Sequence, residues 1–243
     1  DENLPMLAVT EAYGPDVPLA KAHKRLDQGA LSAAVAKGRR FLAGDGPGYG
    51  ELAHWAEREA PGPVFLELAG QVDRADAVPE AETLADSGDV LGLIARSERP
   101  VVIAGTLALR LVLSPDLNRL QIPVFSTAAA KGAMDERLPH AAGVYTGVGR
   151  ELSPEADLIP RADLIVGIGL RPGEVLGAGP FASDVVNLDP IDAPGHDGFA
   201  FAGIQRDPAP ALELLAGKAW GAAECAPAVG KFSRHLLAPG QLL

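Results

Sequence analysis

An α/β protein is what the sequence predicts: a parallel, doubly wound, Rossmann-like central sheet preceded by a partial α/β domain. Three observations carry this. Short, continuous apolar runs recur in the second half, namely PVVIA at 100–104, IPVFS at 122–126, ADLIVGI at 162–168 and DVVNL at 184–188. Runs without polar alternation mark strands covered on both faces. Helical stretches separate them, the alternation expected of a parallel sheet whose right-handed crossovers place helices on both sides. Finally, 28 Gly and 21 Pro in 243 residues are many for a helical bundle but ordinary for a fold with many loops.

Taken in order, LPMLAV at 4–9 is a short apolar run and reads as a buried strand. Residues 29–42 and 49–60 read as helices, the second following the breaker run 44–50. PVFLEL at 63–68 reads as a strand introduced by a Pro-Gly-Pro turn. Residues 72–89 are acidic and poor in aromatics, and 73–80 is expected to be a linker. Residues 1–72 then form the C-terminal part of one α/β domain, residues 81–216 the central Rossmann-like domain, and 217–243 a tail. Within the second domain, 81–96, 107–120 and 208–216 read as helices and 199–204 as a further strand. The tail has no clear period and is expected to pack back or fray.

The hydrophobic fraction of 47% is enough for a core and excludes wholesale disorder. A formal net charge of −11 repels phosphate backbones and anionic headgroups, so nucleic-acid and membrane-surface binding are disfavoured. One cysteine, Cys225, excludes an intrachain disulfide and a cysteine-held metal cluster, which suits a reducing cytoplasm. The five histidines are scattered, with no His-x-x-x-His pair. No apolar stretch approaches the roughly 18 residues of a membrane span. The chain begins Asp-Glu-Asn, unlike a basic signal-peptide start or an initiator Met, which suggests a processed or partial chain.

Several motifs are absent or incomplete. There is no Gly-x-Ser-x-Gly elbow. Lys131-Gly132 and Lys231 lack the upstream glycine and following hydroxyl of a P-loop. Gly48-x-Gly50-x-x-Ala53 opens a helix that no strand precedes. Gly167-Ile168-Gly169 follows a convincing strand and leads into Arg171-Pro172-Gly173. Glycine there lets a ligand approach the backbone, and Arg171 is placed to meet a phosphate; the plainer reading is a tight turn with Arg171 in solvent. Glu57 and Glu59 read as a solvated helix face, while Asp189 and Asp192 end a strand, where a carboxylate binds a ribose or caps the next turn.

The order of these segments resembles the thiamine-diphosphate-dependent decarboxylase and carboligase family of acetolactate synthase and benzoylformate decarboxylase. The strongest stretch is 99–192: RPVVIAG, then IPVFSTAAAKGAMDERLPHAAGVYTGVG, then ADLIVGIGLRPGE, then DVVNLDPID. These are similar to that family's central domain. Upstream, LPMLAVT, the stretch HKRLDQGALSAAVAK with Asp27, Gln28 and Lys37, and APGPVFLELAG resemble the end of its pyrimidine-binding domain. The likeness covers roughly residues 3–216 and rests on the ordered set rather than on any one motif.

The resemblance implies a portion or subunit of a 2-keto acid decarboxylase or carboligase, a lyase or transferase. The family's catalytic glutamate would lie upstream of Leu4, and the diphosphate-binding domain would follow the central one, so no catalytic residue is assigned. Gly44-Asp45-Gly46 imitates the family's magnesium motif, but no Asn stands at 69–74, and the asparagines are Asn3, Asn118 and Asn187. Thiamine diphosphate and Mg²⁺ are therefore expected only where other polypeptide completes the site. Some relatives bind the ADP part of FAD, or free ADP, in the central domain. By resemblance the contacts here are Gly105, Lys131, Gly132, Arg171 and Asp189, with Lys131 and Arg171 on phosphates and Asp189 on a ribose or amide. GLRPGEVL lacks the double Asp of FAD-dependent relatives, which weighs against FAD. His23-Lys24, in place of the family's Phe-Gln, weighs against acetolactate synthase activity. A half sheet exposes an unpaired edge, so a homo-oligomer or a complementary chain is expected. The alternative is a non-catalytic nucleotide-binding or interface module.

Overall fold

The structure, a computed structural model, describes residues 4–14, 17–18, 26–43, 49–57, 62–69, 85–148, 153–171, 174, 176–177, 181–191 and 198–236. The chain divides into two compact units, Asp1–Thr83 and Leu84–Leu243. The expected linker at 73–80 and the Gly44-Asp45-Gly46 turn lie outside the described residues, as do Glu59, Pro172, Gly173 and Asp192.

The first unit holds a parallel sheet of β1 (Met6–Glu11), β2 (Gly38–Ala43) and β3 (Pro63–Ala69), in the order β1-β3-β2. Val64 and Leu66 of the central strand are fully buried and pack with Leu42 against Leu52 and Ala56 of α2 (Tyr49–Glu57). Each such side chain contributes about 1.5–3 kcal/mol. Gly38 is a glycine for a packing reason, because any Cβ there would run into the Trp55 indole. Both outer strands are edges that leave Met6, Val9 and Phe41 exposed.

Three expectations fail in this unit. Strand β1 is not buried, because it lies at the edge of the sheet with Met6 and Val9 exposed. The helix α2 does follow a strand, β2. Residues 29–42 are not a single helix. Only α1 (Gln28–Ser32) is helical, capped by the Asp27 carboxylate on the Ala30 N–H at 2.8 Å, and the chain then turns into β2. The charged pair Arg39-Arg40 suits an exposed edge, and pairing with β3 along Gly38–Ala43 outweighs the weak local helical preference.

The second unit is a six-stranded, all-parallel sheet. Its strands are β4 (Pro100–Ala104), β5 (Val124–Ser126), β6 (Ala141–Val144), β7 (Leu164–Ile168), β8 (Asp184–Leu188) and β9 (Phe201–Gln205), in the order β6-β5-β4-β7-β8-β9. Every residue of β4 and β7 is buried. Alternate residues serve opposite faces. Val102, Ala104, Val166 and Ile168 meet α3 (Val90–Arg96), α5 (Ser114–Asn118) and α7 (Pro208–Ala216), while Val101, Ile103, Ile165 and Val185 meet α6 (Pro154–Leu158) and α8 (Ala222–Leu236). The sheet is therefore wound on both faces, as the apolar runs predict.

Among the described residues, the β7–β8 and β8–β9 connections carry no helix. Aromatic rings cover the sheet there instead: Phe181 stacks on Phe199 at 5.5 Å, Phe199 on Phe201 at 6.0 Å, and Tyr145 meets Phe125 edge-on at 6.2 Å.

Three expectations are corrected in this unit. Of the helix expected over 81–96, the described residues 85–89 are not helical and α3 begins at Val90, where Asp89 caps the Gly92 N–H at 3.0 Å; Gly88, at φ 68°, breaks the chain before it. The helix expected over 107–120 is two, α4 (Thr106–Arg110) and α5, because Val112 takes φ 54° between them and Pro115 starts the second. Strand β6 was not expected; it is short, contains Gly143 at φ 93°, and its register slips. The tail packs back, one of the two outcomes expected of it, as α8 with Cys225 buried against the sheet. No helix among the described residues is long and apolar enough to cross a membrane.

Candidate functional site at the carboxyl edge of the second sheet

The chain builds outward from β4 to β5 and β6, then returns to β7 beside β4. Ligands of open α/β sheets bind outside the carboxyl ends of the strands where the order reverses, here between β4 and β7. Gly105 ends β4, and Gly169 (φ 56°) ends β7. A Cβ on Gly105 would lie 2.7 Å from the Gly169 carbonyl oxygen and 2.9 Å from that of Ile168. A Cβ on Gly169 would collide with Leu107. Both glycines are thus required by the close approach of the two strand ends.

Three of the five residues expected to bind a nucleotide converge here: Gly105, Arg171 and Asp189. They do not point at an open crevice. The Arg171 guanidinium, 5% exposed, makes a two-pronged ion pair with the Asp189 carboxylate, 2% exposed, with Nη2 donating to Oδ1 at 2.9 Å and Nη1 to Oδ2. Asp189 also accepts from the Ile191 N–H at 3.0 Å and from Asn187 Nδ2 at 3.4 Å. A bidentate guanidinium–carboxylate pair of this kind is strong and geometrically specific. The plain-turn expectation that Arg171 stands in solvent is therefore overturned, because Asp189 at the end of the neighbouring strand draws it inward.

Lys131 and Gly132 lie in the turn after β5. The Lys131 ammonium is held by Glu136 at 2.7 and 2.9 Å on the surface, and Gly132 takes φ 93° with open space about it.

Sequence reasoning missed two carboxylates and an amide. Glu174, 5% exposed, accepts at Oε1 from Thr106 N at 3.1 Å, Thr106 Oγ1 at 3.2 Å and Arg171 N at 3.3 Å. Glu155, also buried, accepts from Thr146 N at 2.8 Å, Thr146 Oγ1 at 2.7 Å and Gly147 N at 3.2 Å. Asn187, 1% exposed, has a buried Oδ1 with no hydrogen-bond partner among the described residues. The one available signal for Glu174 was its place three residues after Arg171 in GLRPGE.

The loops beyond β6 and β7 are tied together. Gly177 N donates to Thr146 O at 2.7 Å, Tyr145 Oη to Gly177 O at 3.3 Å, and Gly147 and Gly177 pack backbone to backbone. Burial, with Glu155 nearby, raises the Tyr145 phenol above its ordinary value, so it stays a neutral donor. No three His, Cys, Asp or Glu side chains among the described residues gather as a metal site.

Comparison with known proteins agrees with this architecture. The family described as thiamine pyrophosphate enzyme, central domain, matches residues 87–215. A pyruvate decarboxylase of Hanseniaspora uvarum is 28% identical over 170 residues, covering 66% of this chain and 28% of that relative. Pyruvate decarboxylase isozyme 2 of Saccharomyces cerevisiae is 37% identical over 99 residues, covering 39% of this chain and 17% of the relative. Among solved structures, the thiamine diphosphate-dependent 4-hydroxybenzoylformate decarboxylase of Rhodococcus jostii RHA1 superposes with a TM-score of 0.52 at 19% identity, over 88% of this chain and 45% of that one. That last likeness is one of fold, and the chain spans less than half the length of each of these relatives.

Proposed function

The chain belongs to the thiamine pyrophosphate enzymes, whose central domain it carries at residues 87–215, and from that premise we propose that it is a portion or subunit of a thiamine-diphosphate-dependent 2-keto acid decarboxylase or carboligase. The central domain acts as architecture in this reading. The observation that carries it is the buried Arg171–Asp189 pair: the two charges best placed to hold a nucleotide are spent on each other. The first unit, with its parallel β1-β3-β2 sheet, is read as the end of a pyrimidine-binding domain.

The described residues do not fit the coenzyme by themselves. Magnesium on a diphosphate needs several oxygen ligands in near-octahedral array. The described residues gather no such acidic set. Thiamine diphosphate and Mg²⁺ would therefore take their ligands from residues beyond those described, in a homo-oligomer or with a complementary chain, and no chemical step is assigned to the residues here. Cytoplasmic residence belongs to the same proposal.

The test is calorimetric titration of the purified chain with thiamine diphosphate plus Mg²⁺, and separately with ADP and with FAD. No tight binding of any of them is expected. Tight thiamine diphosphate binding by the chain alone would overturn the reading of it as a part. Tight ADP binding lost in Arg171→Ala would favour the alternative, a nucleotide-binding module.

A further inference from the structure

We propose that Glu174 is a built-in anion that occupies the phosphate position of the β4–β7 crevice and closes it to nucleoside diphosphates. In an open α/β sheet this crevice is where a ligand phosphate meets backbone N–H groups, and glycine at the strand end permits the approach. Here both features are present and both are used internally. The Glu174 Oε1 stands 2.7 Å from where a Cβ of Gly105 would be, so the space left by the glycine is filled by that carboxylate. Two backbone N–H groups, of Thr106 and Arg171, and the Thr106 hydroxyl converge on this single oxygen at 3.1–3.3 Å. That donor set suits a phosphate oxygen as well as it suits a carboxylate.

The rest of the crevice is consistent with closure. The Arg171 side chain, which would otherwise attract a phosphate, is neutralised by Asp189. Asn187, opposite Gly167 in the β7–β8 register, presents a buried Oδ1 acceptor with no partner among the described residues, a group that repels a phosphate oxygen. Among the described residues, the Thr106 and Arg171 N–H groups and the Thr106 hydroxyl converge where Glu174 already sits. Removing that carboxylate frees three donors beside a glycine and leaves a site for the diphosphate of a nucleotide.

This inference rests on the architectural reading of the second unit. The thiamine diphosphate titration tests that reading without involving Glu174. The inference itself is tested by amide hydrogen exchange at Thr106 in the full chain, with and without millimolar ADP, for wild type, Glu174→Ala and Glu174→Gln. In wild type, Thr106 should exchange slowly and ADP should change nothing. In Glu174→Ala, exchange should rise at least tenfold and ADP should slow it again. Glu174→Gln keeps the shape and an acceptor oxygen but loses the charge; its Thr106 should exchange a few-fold faster than wild type, and it covers the case in which the alanine variant does not fold. Wild-type exchange rates in both variants would overturn the proposal. So would faster exchange in Glu174→Ala that ADP leaves unchanged, since Glu174 would then only staple a loop.

Discussion

Breaking the Arg171–Asp189 pair from one side should be far more damaging than removing it whole. Both side chains are nearly inaccessible, 5% and 2% exposed. Arg171→Met leaves the Asp189 carboxylate buried with, among the described residues, only the Ile191 N–H at 3.0 Å and the Asn187 amide at 3.4 Å to stabilise it. Asp189→Asn takes from the buried guanidinium the carboxylate that receives both of its Nη groups. Each single change should destabilise the second unit by about 3–5 kcal/mol, the cost of breaking a buried ion pair from one side. For a unit of this size that is a fall in Tm of roughly 6–20 °C. The double variant removes both charges and should return to within about 2 kcal/mol of wild type, giving a coupling energy of at least about 4 kcal/mol. Urea denaturation read by tryptophan fluorescence measures this. Trp55 and Trp220 are the two tryptophans, so a Trp55→Phe background reports the second unit alone. Single variants that cost less than about 1 kcal/mol, or that add independently, would refute the argument and return Arg171 to the pool of side chains free to meet a ligand.

Gly105→Ala should destabilise the second unit by about 1–3 kcal/mol in the same assay, because its Cβ meets a backbone oxygen, which does not give way, at 2.7 Å. Leu66→Ala in the fully buried centre of β3 should cost about 2–5 kcal/mol and shift the Trp55 transition while leaving that of Trp220 in place. Burial, with Glu224 beside it, pushes the Cys225 thiol up to about 11, so the folded protein should resist iodoacetamide at pH 8 and the urea-unfolded chain should not. Because that value is raised on folding, the associated stability is held below the ordinary thiol value near 9 and lost as pH climbs through about 11. Cys225→Ala should accordingly flatten the decline of stability measured between pH 9 and 11, and an unchanged slope would contradict the burial argument.

Where the strands are buried on both faces, the sequence reads directly. PVVIA and LIVGI are continuous apolar runs, and DVVNL carries a Val-Val pair and a Leu, because neither side of β4, β7 or most of β8 meets water. Legibility falls with burial. GRRFLA of β2 lies at an edge and sets two adjacent arginines before three apolar residues, with no alternation, so its strand character comes from pairing with β3 and not from composition. The period across 107–120 is genuinely helical on either side of Val112, and only the positive φ of that β-branched residue splits it. Pro227 and Gly230 interrupt the apolar period of α8, although Pro227 is accommodated inside the helix. At the candidate site, Arg171 and Asp189 were legible as charged residues at strand ends, but each was read as a separate contact. Their union depends on β7 and β8 being neighbours in register, a long-range fact that no local pattern encodes. Glu174 was hidden for the same reason, since the fold brings Thr106 to it from 68 residues away, while Asn187 bonds Asp189 two residues on in a contact that no motif marks.

Residues 85–88 have a bearing on how the second unit can be cut out for study. Ser87 is laced to Ile204 by hydrogen bonds of 2.9 and 2.8 Å in antiparallel fashion, and the Asp86 carboxylate receives Gln205 and the Arg206 N–H. These few residues, although they precede the first helix, shield the outermost strand of the sheet. An excised piece that starts at Val90 would surrender that selvedge and present bare backbone to the next molecule, so a faithful excision keeps the threads from Ala85 onward.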